Sequence, residues 1–255
     1  AVTDSFDRKR WKKAAQQIGS QSHVVQSDGV STLWDTPRGR FWIPTDGEVL
    51  PLLLAQHAVN YYGDREWGVR SGDVVIDCGA HVGTFSRDAL SRGAHLVVAI
   101  EPAPRAIDCL RRNFVSEIAA GRLIIVAKGV WDSVGTLRFF LNGNSDAADS
   151  FIVKAGSAPA VIVPTTSIDA LVRDLKLTKV NFIKTDIKGA TERFLAGAHG
   201  TILRFHPRMA IATEEPPEDA GRITAMVQGI AAYKMRCGHC FLAEDQIRME
   251  AVFCQ

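Results

Sequence analysis

Short apolar runs, each closed by an acid or a turn, recur along the chain at the spacing of strands that alternate with helices. Val74 to Ile76 leads into Asp77, and Leu96 to Ile100 stops at Glu101. Leu123 to Ala127 gives way to Lys128-Gly129-Val130-Trp131-Asp132, Val180 to Thr185 ends in Asp186, and Met209 to Thr213 ends in Glu214-Glu215-Pro216-Pro217. The segments between these runs read as helices: Thr84 to Arg92, Arg105 to Phe114 with Ile107, Leu110 and Phe114 on one face, Ala190 to Leu195, and Asp219 to Ala232. Tyr233 to Cys237 and Ile247 to Phe253 read as a closing pair of strands. The pattern predicts an α/β fold: a seven-stranded, mostly parallel, Rossmann-like sheet with helices on both faces and a C-terminal antiparallel hairpin.

The first part of the chain is less regular. Asp4 to Ile18 has the character of a helix, Val30 to Ile43 alternates as a hairpin around Pro37-Arg38-Gly39, and Glu48 to Tyr62 has helical spacing up to Gly63. Residues 1–70 are therefore expected to form an extension and lid, and residues 71–255 the core. Trp42, Tyr61 and Tyr62 are candidates for a substrate wall, with plain packing as the alternative. Thr136 to Leu141 and Phe151 to Val153 read as an added hairpin around the polar loop Asn142 to Ser150. Val161 to Pro164 is a further strand, and Ser167 caps a short helix.

Candidate chemistry gathers where the first two core strands leave the sheet. Between Asp77 and the helix at Thr84 lies Gly79-Ala80-His81-Val82-Gly83, a tight loop in which Gly79 permits a sharp turn and Gly83 a close helix start. Glu101 stands 22 residues after Gly79, the distance at which an acid on the second strand accepts the hydroxyls of a ribose. A dinucleotide loop carries a glycine where His81 stands, so that pyrophosphate can rest on helix N–H groups. Asp77 disfavours that anion and suits the ammonium and sulfonium of S-adenosylmethionine. The expected cofactor contacts are Asp77, Gly79, Ala80, His81, Gly83, Glu101 and Pro102, with Gly129, Val130 and Trp131 at the base end. Two alternatives stand beside this one: carboxylates that only cap turns, and a nicotinamide cofactor.

Composition narrows the class. A chain of 255 residues with 46% hydrophobic content can bury one substantial core. A net charge of +2 does not argue for a nucleic-acid partner, and the basic cluster Arg8-Lys9-Arg10-Trp11-Lys12-Lys13 reads as a solvated helix face. There is no apolar run of membrane-spanning length and no signal-like start, so a cytoplasmic location is expected. The five cysteines, an odd number in a chain this long, are not expected to form a disulfide framework. Cys237-Gly238-His239-Cys240 has dithiol spacing but falls between two strand-like runs, where a hairpin turn is the simpler expectation. No metal site is expected, and a homo-oligomer is left open.

Three stretches also carry a family resemblance. GDVVIDCGAHVGTFS at 72–86, AIEP at 99–102 and FIKTDIKGATERFLAGA at 182–198 resemble the FkbM-type S-adenosylmethionine-dependent methyltransferases. The resemblance runs in order over roughly residues 40–255. It implies the seven-stranded methyltransferase sheet, S-adenosylmethionine as cofactor, and a small-molecule hydroxyl acceptor such as a sugar or polyketide-like natural product. One departure stands out: the family's Asp-x-Glu-Gly-Ala-Glu is here Asp186-Ile187-Lys188-Gly189-Ala190-Thr191. Lys188 could meet an anionic substrate group or sit solvated at a helix start. The loss of two acids also permits a cofactor-binding module without catalysis.

Methyl transfer to a hydroxyl needs alignment and a base for the departing proton. Asp186 is the first candidate and Glu214 the second. His81 is expected to shape the cofactor loop, and His206 to serve turn structure.

Overall fold

The structure, a computed structural model, describes residues 4–45, 49–141, 160–213, 220–243 and 246–255. Glu214, the Asn142 to Ser150 loop and the Phe151 to Val153 strand predicted above lie outside the described residues. The N-terminal region comprises α1 (Asp4–Ser20), β1 (His23–Ser27), β2 (Ser31–Thr36), β3 (Gly39–Pro44) and α2 (Leu50–Ala58). The core follows with β4 (Val74–Cys78), α3 (Thr84–Ser91), β5 (Leu96–Ile100), α4 (Pro104–Asn113), α5 (Val115–Ala119), β6 (Leu123–Val126), β7 (Gly129–Val130), β8 (Gly135–Phe140) and β9 (Ala160–Thr166). It closes with α6 (Ile168–Asp174), β10 (Phe182–Thr185), α7 (Thr191–Gly197), α8 (His199–Phe205), β11 (Arg208–Ala212), α9 (Ala220–Ile230), β12 (Met235–Ala243) and β13 (Gln246–Cys254).

The main sheet has seven strands in the order β12-β13-β11-β10-β4-β5-β6. Five strands from β11 to β6 pair in parallel, and β13 is antiparallel to both β11 and β12, as the pattern predicts. Strand order reverses between β4 and β10, and in open α/β sheets the crevice beyond the carboxyl ends at that point takes the ligand.

Every residue of β4, β10 and β11 is buried, and apart from Asp77, Lys184, Thr185 and Arg208 these strands are apolar. Successive side chains point to opposite faces. Ile76, Cys78 and Ile183 pack with Ile168, Phe194 and Ile202 on one face, while Val75 and Phe182 pack with Phe85, Tyr61 and Tyr62 on the other. Burying one such large side chain contributes about 1.5–3 kcal/mol. Period-two alternation puts Asp77 and Lys184 on the second face, beside Val75 and Phe182.

The N-terminal elements dock on this second side. Ala15, Ile18, Phe41, Ile43, Leu50 and Leu54 form a cluster that includes Val82 of the glycine loop and Cys109 of α4. Asn113 ties the two parts together, donating to the carbonyls of Trp42 and Val82 at 2.9 Å each.

Several local expectations change. β8 pairs with β9, which also pairs with β7, so residues 129–130 are a short strand of a second small sheet. Cys237-Gly238-His239-Cys240 lies within β12 rather than in a turn, and Cys237 is disulfide-bonded. Gly238 serves packing there, since a Cβ would come within 2.5 Å of the Phe253 ring. The Ser167 cap is present, its Oγ accepting from the Ala170 N–H at 3.1 Å. Among the described residues, no helix is long and apolar enough to cross a membrane.

Candidate active site

At the carboxyl ends of β4, β5 and β10, three acids and one lysine converge. Glu101 follows β5 and is held by two backbone donors, His81 N–H to Oε2 at 2.7 Å and Ala103 N–H to Oε1 at 2.9 Å. Gly79 and Ala80 both donate to the Ile100 carbonyl at 3.0 Å, which pins the loop against the end of β5.

The glycines of the loop answer to packing demands. Gly79 has φ +77°, and a Cβ there would stand 2.2 Å from the Asp186 carbonyl oxygen. The group it approaches is thus the backbone after β10. Gly83 has φ +87°, and a Cβ would strike Phe114 and Leu110 of α4. Its freedom therefore lets α3 start against α4, where closeness to the sheet was expected.

Asp77 is fully buried, with Oδ2 hydrogen-bonded and Oδ1 in an ion pair without a hydrogen-bond partner. Its Oδ2 accepts from Ser86 Oγ at 2.7 Å, and its Oδ1 faces Lys184 Nζ at 3.1 Å. The two residues are direct cross-strand partners in the β4–β10 register. The ammonium also donates to the Gly79 carbonyl at 2.8 Å and lies 5.2 Å from the Tyr62 ring centre. Burial works to lower the lysine pKa, and the negative charges of Asp77 and Asp186 outweigh it, so Lys184 stands above its ordinary value. Asp77, expected to face a cofactor cation, is paired here with the Lys184 ammonium.

Asp186 follows β10 and is half-buried. Tyr62, 6% exposed and edge-on to both Tyr61 and Phe85, donates its hydroxyl to Asp186 Oδ2 at 2.8 Å. Of the three proposed wall residues, Tyr62 reaches the site directly. Trp42 instead packs away from it under the Arg112 guanidinium, 3.3 Å from the ring centre. At the other end, Val130 is packed in the core with Ile168 and Phe194, and Gly129 is buried in β7. Trp131 is half-buried beneath the Arg193 guanidinium. Lys188 is half-buried and Thr191 is buried at the start of α7. His206, in a left-handed conformation at the end of α8, stacks on Tyr233, the turn role expected of it.

Two histidines are held neutral by burial. Desolvation pushes His57 of α2 down to about 4, against the opposing pull of Asp88. Desolvation also pushes His81 down to about 4, with Lys184 adding to the effect and Asp186 opposing it. Both are neutral in the folded protein and take up protons near 6.5 once unfolded, so the unfolded state binds more protons between those values. Stability is therefore complete above about pH 6.5 and falls as pH drops toward 4, by roughly 3 kcal/mol for each histidine. Urea midpoints measured from pH 7 to pH 4 should show this decline, and His57→Gln should flatten it; an unchanged slope would refute the assignment to His57.

The elements that carry these groups, and the order of their strands, match a known family. Residues 77–238 match the model described as the methyltransferase FkbM domain. The chain belongs to this family. Over 125 residues this chain is 30% identical to the hexuronic acid methyltransferase AglP of Haloferax volcanii, covering 49% of each chain. Its fold is similar to that of the FkbM methyltransferase of Methylobacillus flagellatus KT, with a TM-score of 0.56 and 15% identity over 98% of this chain and 59% of that one. The chain thus spans about half the length of the curated relative and under two thirds of the solved one.

S-adenosylmethionine, the cofactor that the family resemblance implies, fits the residues present. Glu101 stands at the end of β5, where ribose hydroxyls are accepted. Both ring nitrogens of His81 are buried without a hydrogen-bond partner, in the loop between β4 and α3.

Sequence reasoning missed Lys184 and Ser86. A signal was present for the first: a lysine inside the apolar run of β10 is almost never fully buried unless it is paired, so an acid on a neighbouring strand was required.

Proposed function

We propose that this chain is an S-adenosylmethionine-dependent methyltransferase that acts on a hydroxyl oxygen of a small molecule of the sugar class. The observation that carries the proposal is the set of carboxylates at the ends of β5 and β10, Glu101 and Asp186, around the glycine loop of an FkbM domain. The likeness to AglP, named for hexuronic acid, supports a sugar acceptor.

When bound, S-adenosylmethionine supplies the electrophilic methyl group. The chain's own contribution is alignment and proton removal. Glu101 holds the nucleoside by its ribose. Asp186 takes the proton of the acceptor hydroxyl, and the Tyr62 hydroxyl fixes its carboxylate by occupying Oδ2. Lys184 and Asp77 stay buried as a pair, and Lys184 holds the Gly79 carbonyl in place.

Labelled methyl transfer to hexuronic acids, neutral sugars, polyketide alcohols and peptides tests this. Label in a base-stable ether on a sugar is the expected result. Label in an amide or amine, or none in any acceptor while S-adenosylhomocysteine still binds, contradicts it; the second outcome would identify a cofactor-binding module without catalysis.

A further inference from the structure

We propose that Lys188 selects the acceptor: its ammonium meets an anionic oxygen substituent, a carboxylate, sulfate ester or phosphate ester, on the sugar whose hydroxyl faces Asp186. This rests on the sugar-directed transfer proposed above and names the kind of sugar. Lys188 comes two residues after the assigned base, in the segment that leaves β10 and leads into α7.

A tight turn fixes where the side chain stands. The Ala190 N–H donates to the Ile187 carbonyl at 2.9 Å, and Gly189 holds φ +76°. A left-handed glycine in the third place of a four-residue turn is the type II arrangement, which puts Lys188 in the second place, at the corner. Both ends of the turn are anchored inward: Ile187 packs against the core cluster that contains Ile183 and Phe194, and Ala190 is fully buried. The corner is left at the rim, where Lys188 and Asp186 are both half-buried. The charge of Lys188 also reaches the His81 ring, as do those of Lys184 and Asp186. Its ammonium therefore lies over the strand ends that form the crevice.

Helix formation does not call for a cation at this position. Lys188 precedes the N-terminus of α7, the end at which a helix dipole disfavours positive charge. Lys184 cannot serve an acceptor, because Asp77 holds it inside the core. A sugar with its own negative charge would be repelled by Asp186 unless a cation stood close by, and Lys188 supplies that cation. An ammonium is a compact charge with three donors, so it accommodates carboxylate, sulfate or phosphate oxygens alike. Hydrogen bonds to charged groups are the stronger kind, and a neutral hexose offers this ammonium hydroxyl contacts only. The difference is a preference for the charged sugar.

The test reads a ratio, kcat/KM for an anionic sugar over kcat/KM for the neutral hexose of the same configuration. Hexuronic acids, hexose sulfates and hexose phosphates are each compared in this way. With the wild type the ratio should be about tenfold or more for at least one of these anions, and the fastest identifies the substituent. Lys188→Gln should lower that ratio by about tenfold, Lys188→Arg should keep most of it, and Lys188→Glu should reverse the preference. A lysine that only shapes the turn would slow both acceptors together and leave the ratio unchanged in Lys188→Gln, which would overturn the proposal. A wild-type ratio near unity would overturn it as well, while sugar-directed transfer would stand. A wild-type protein that methylates neither charged nor neutral sugars, yet binds S-adenosylhomocysteine, would refute the proposed function itself, and this selectivity with it.

Discussion

Lys184→Met should destabilise the protein by roughly 3–5 kcal/mol, read as a lowered urea midpoint, because it leaves the Asp77 charge buried without its partner. Asp77 has no exposed surface and Lys184 is 3% exposed, so water cannot replace the missing ammonium. The double variant Asp77→Asn with Lys184→Met should recover most of this loss, since removing both charges removes the unpaired one. The Gly79 carbonyl also loses its 2.8 Å donor in the single variant, so the loop should exchange its amide hydrogens faster. A single variant that costs less than about 1 kcal/mol would mean that the pair contributes no more than a solvent-exposed one.

Asp186→Asn should lower turnover by about a hundredfold to ten-thousandfold, the range that a positioned base supplies. The amide retains the shape of the carboxylate and can still accept from Tyr62, so the cost falls on proton transfer rather than on folding. Affinity for S-adenosylhomocysteine should stay within a few fold, because the ribose is assigned to Glu101. Steady-state rates on the acceptor found in the transfer screen, alongside calorimetry on the same variant, separate these effects. Unchanged turnover would remove Asp186 from the role of base, and a collapse in nucleoside affinity would make it a cofactor ligand instead.

The order of strands and helices was legible because β4, β5, β10 and β11 lie within the sheet and are largely apolar. Glu101 and Asp186 marked the site edge because each stands just past the last residue of its strand, whereas Asp77 is buried within β4. What could not be read was register. Nothing local to Asp77 or Lys184 says that β10 sets them opposite one another, yet that placement gives Asp77 a partner inside the protein.

α8, for which the sequence reading made no helix, contains Gly200 and is supported from outside, where Asp169 accepts from the Gly200 and Thr201 N–H groups at 2.9 and 2.7 Å. Gly238 read as a turn and instead lets β12 pass beside the Phe253 ring. In each case tertiary contact overrode the local preference.

The central claim, that the crevice beyond β4, β5 and β10 holds an S-adenosyl nucleoside by its ribose, meets its most direct test in titration calorimetry with S-adenosylhomocysteine and NAD against the wild type and Glu101→Ala. S-adenosylhomocysteine should bind the wild type, NAD should not, and loss of the Glu101 carboxylate should weaken the nucleoside by about tenfold or more. Preference for NAD, or equal S-adenosylhomocysteine affinity with and without Glu101, would contradict it.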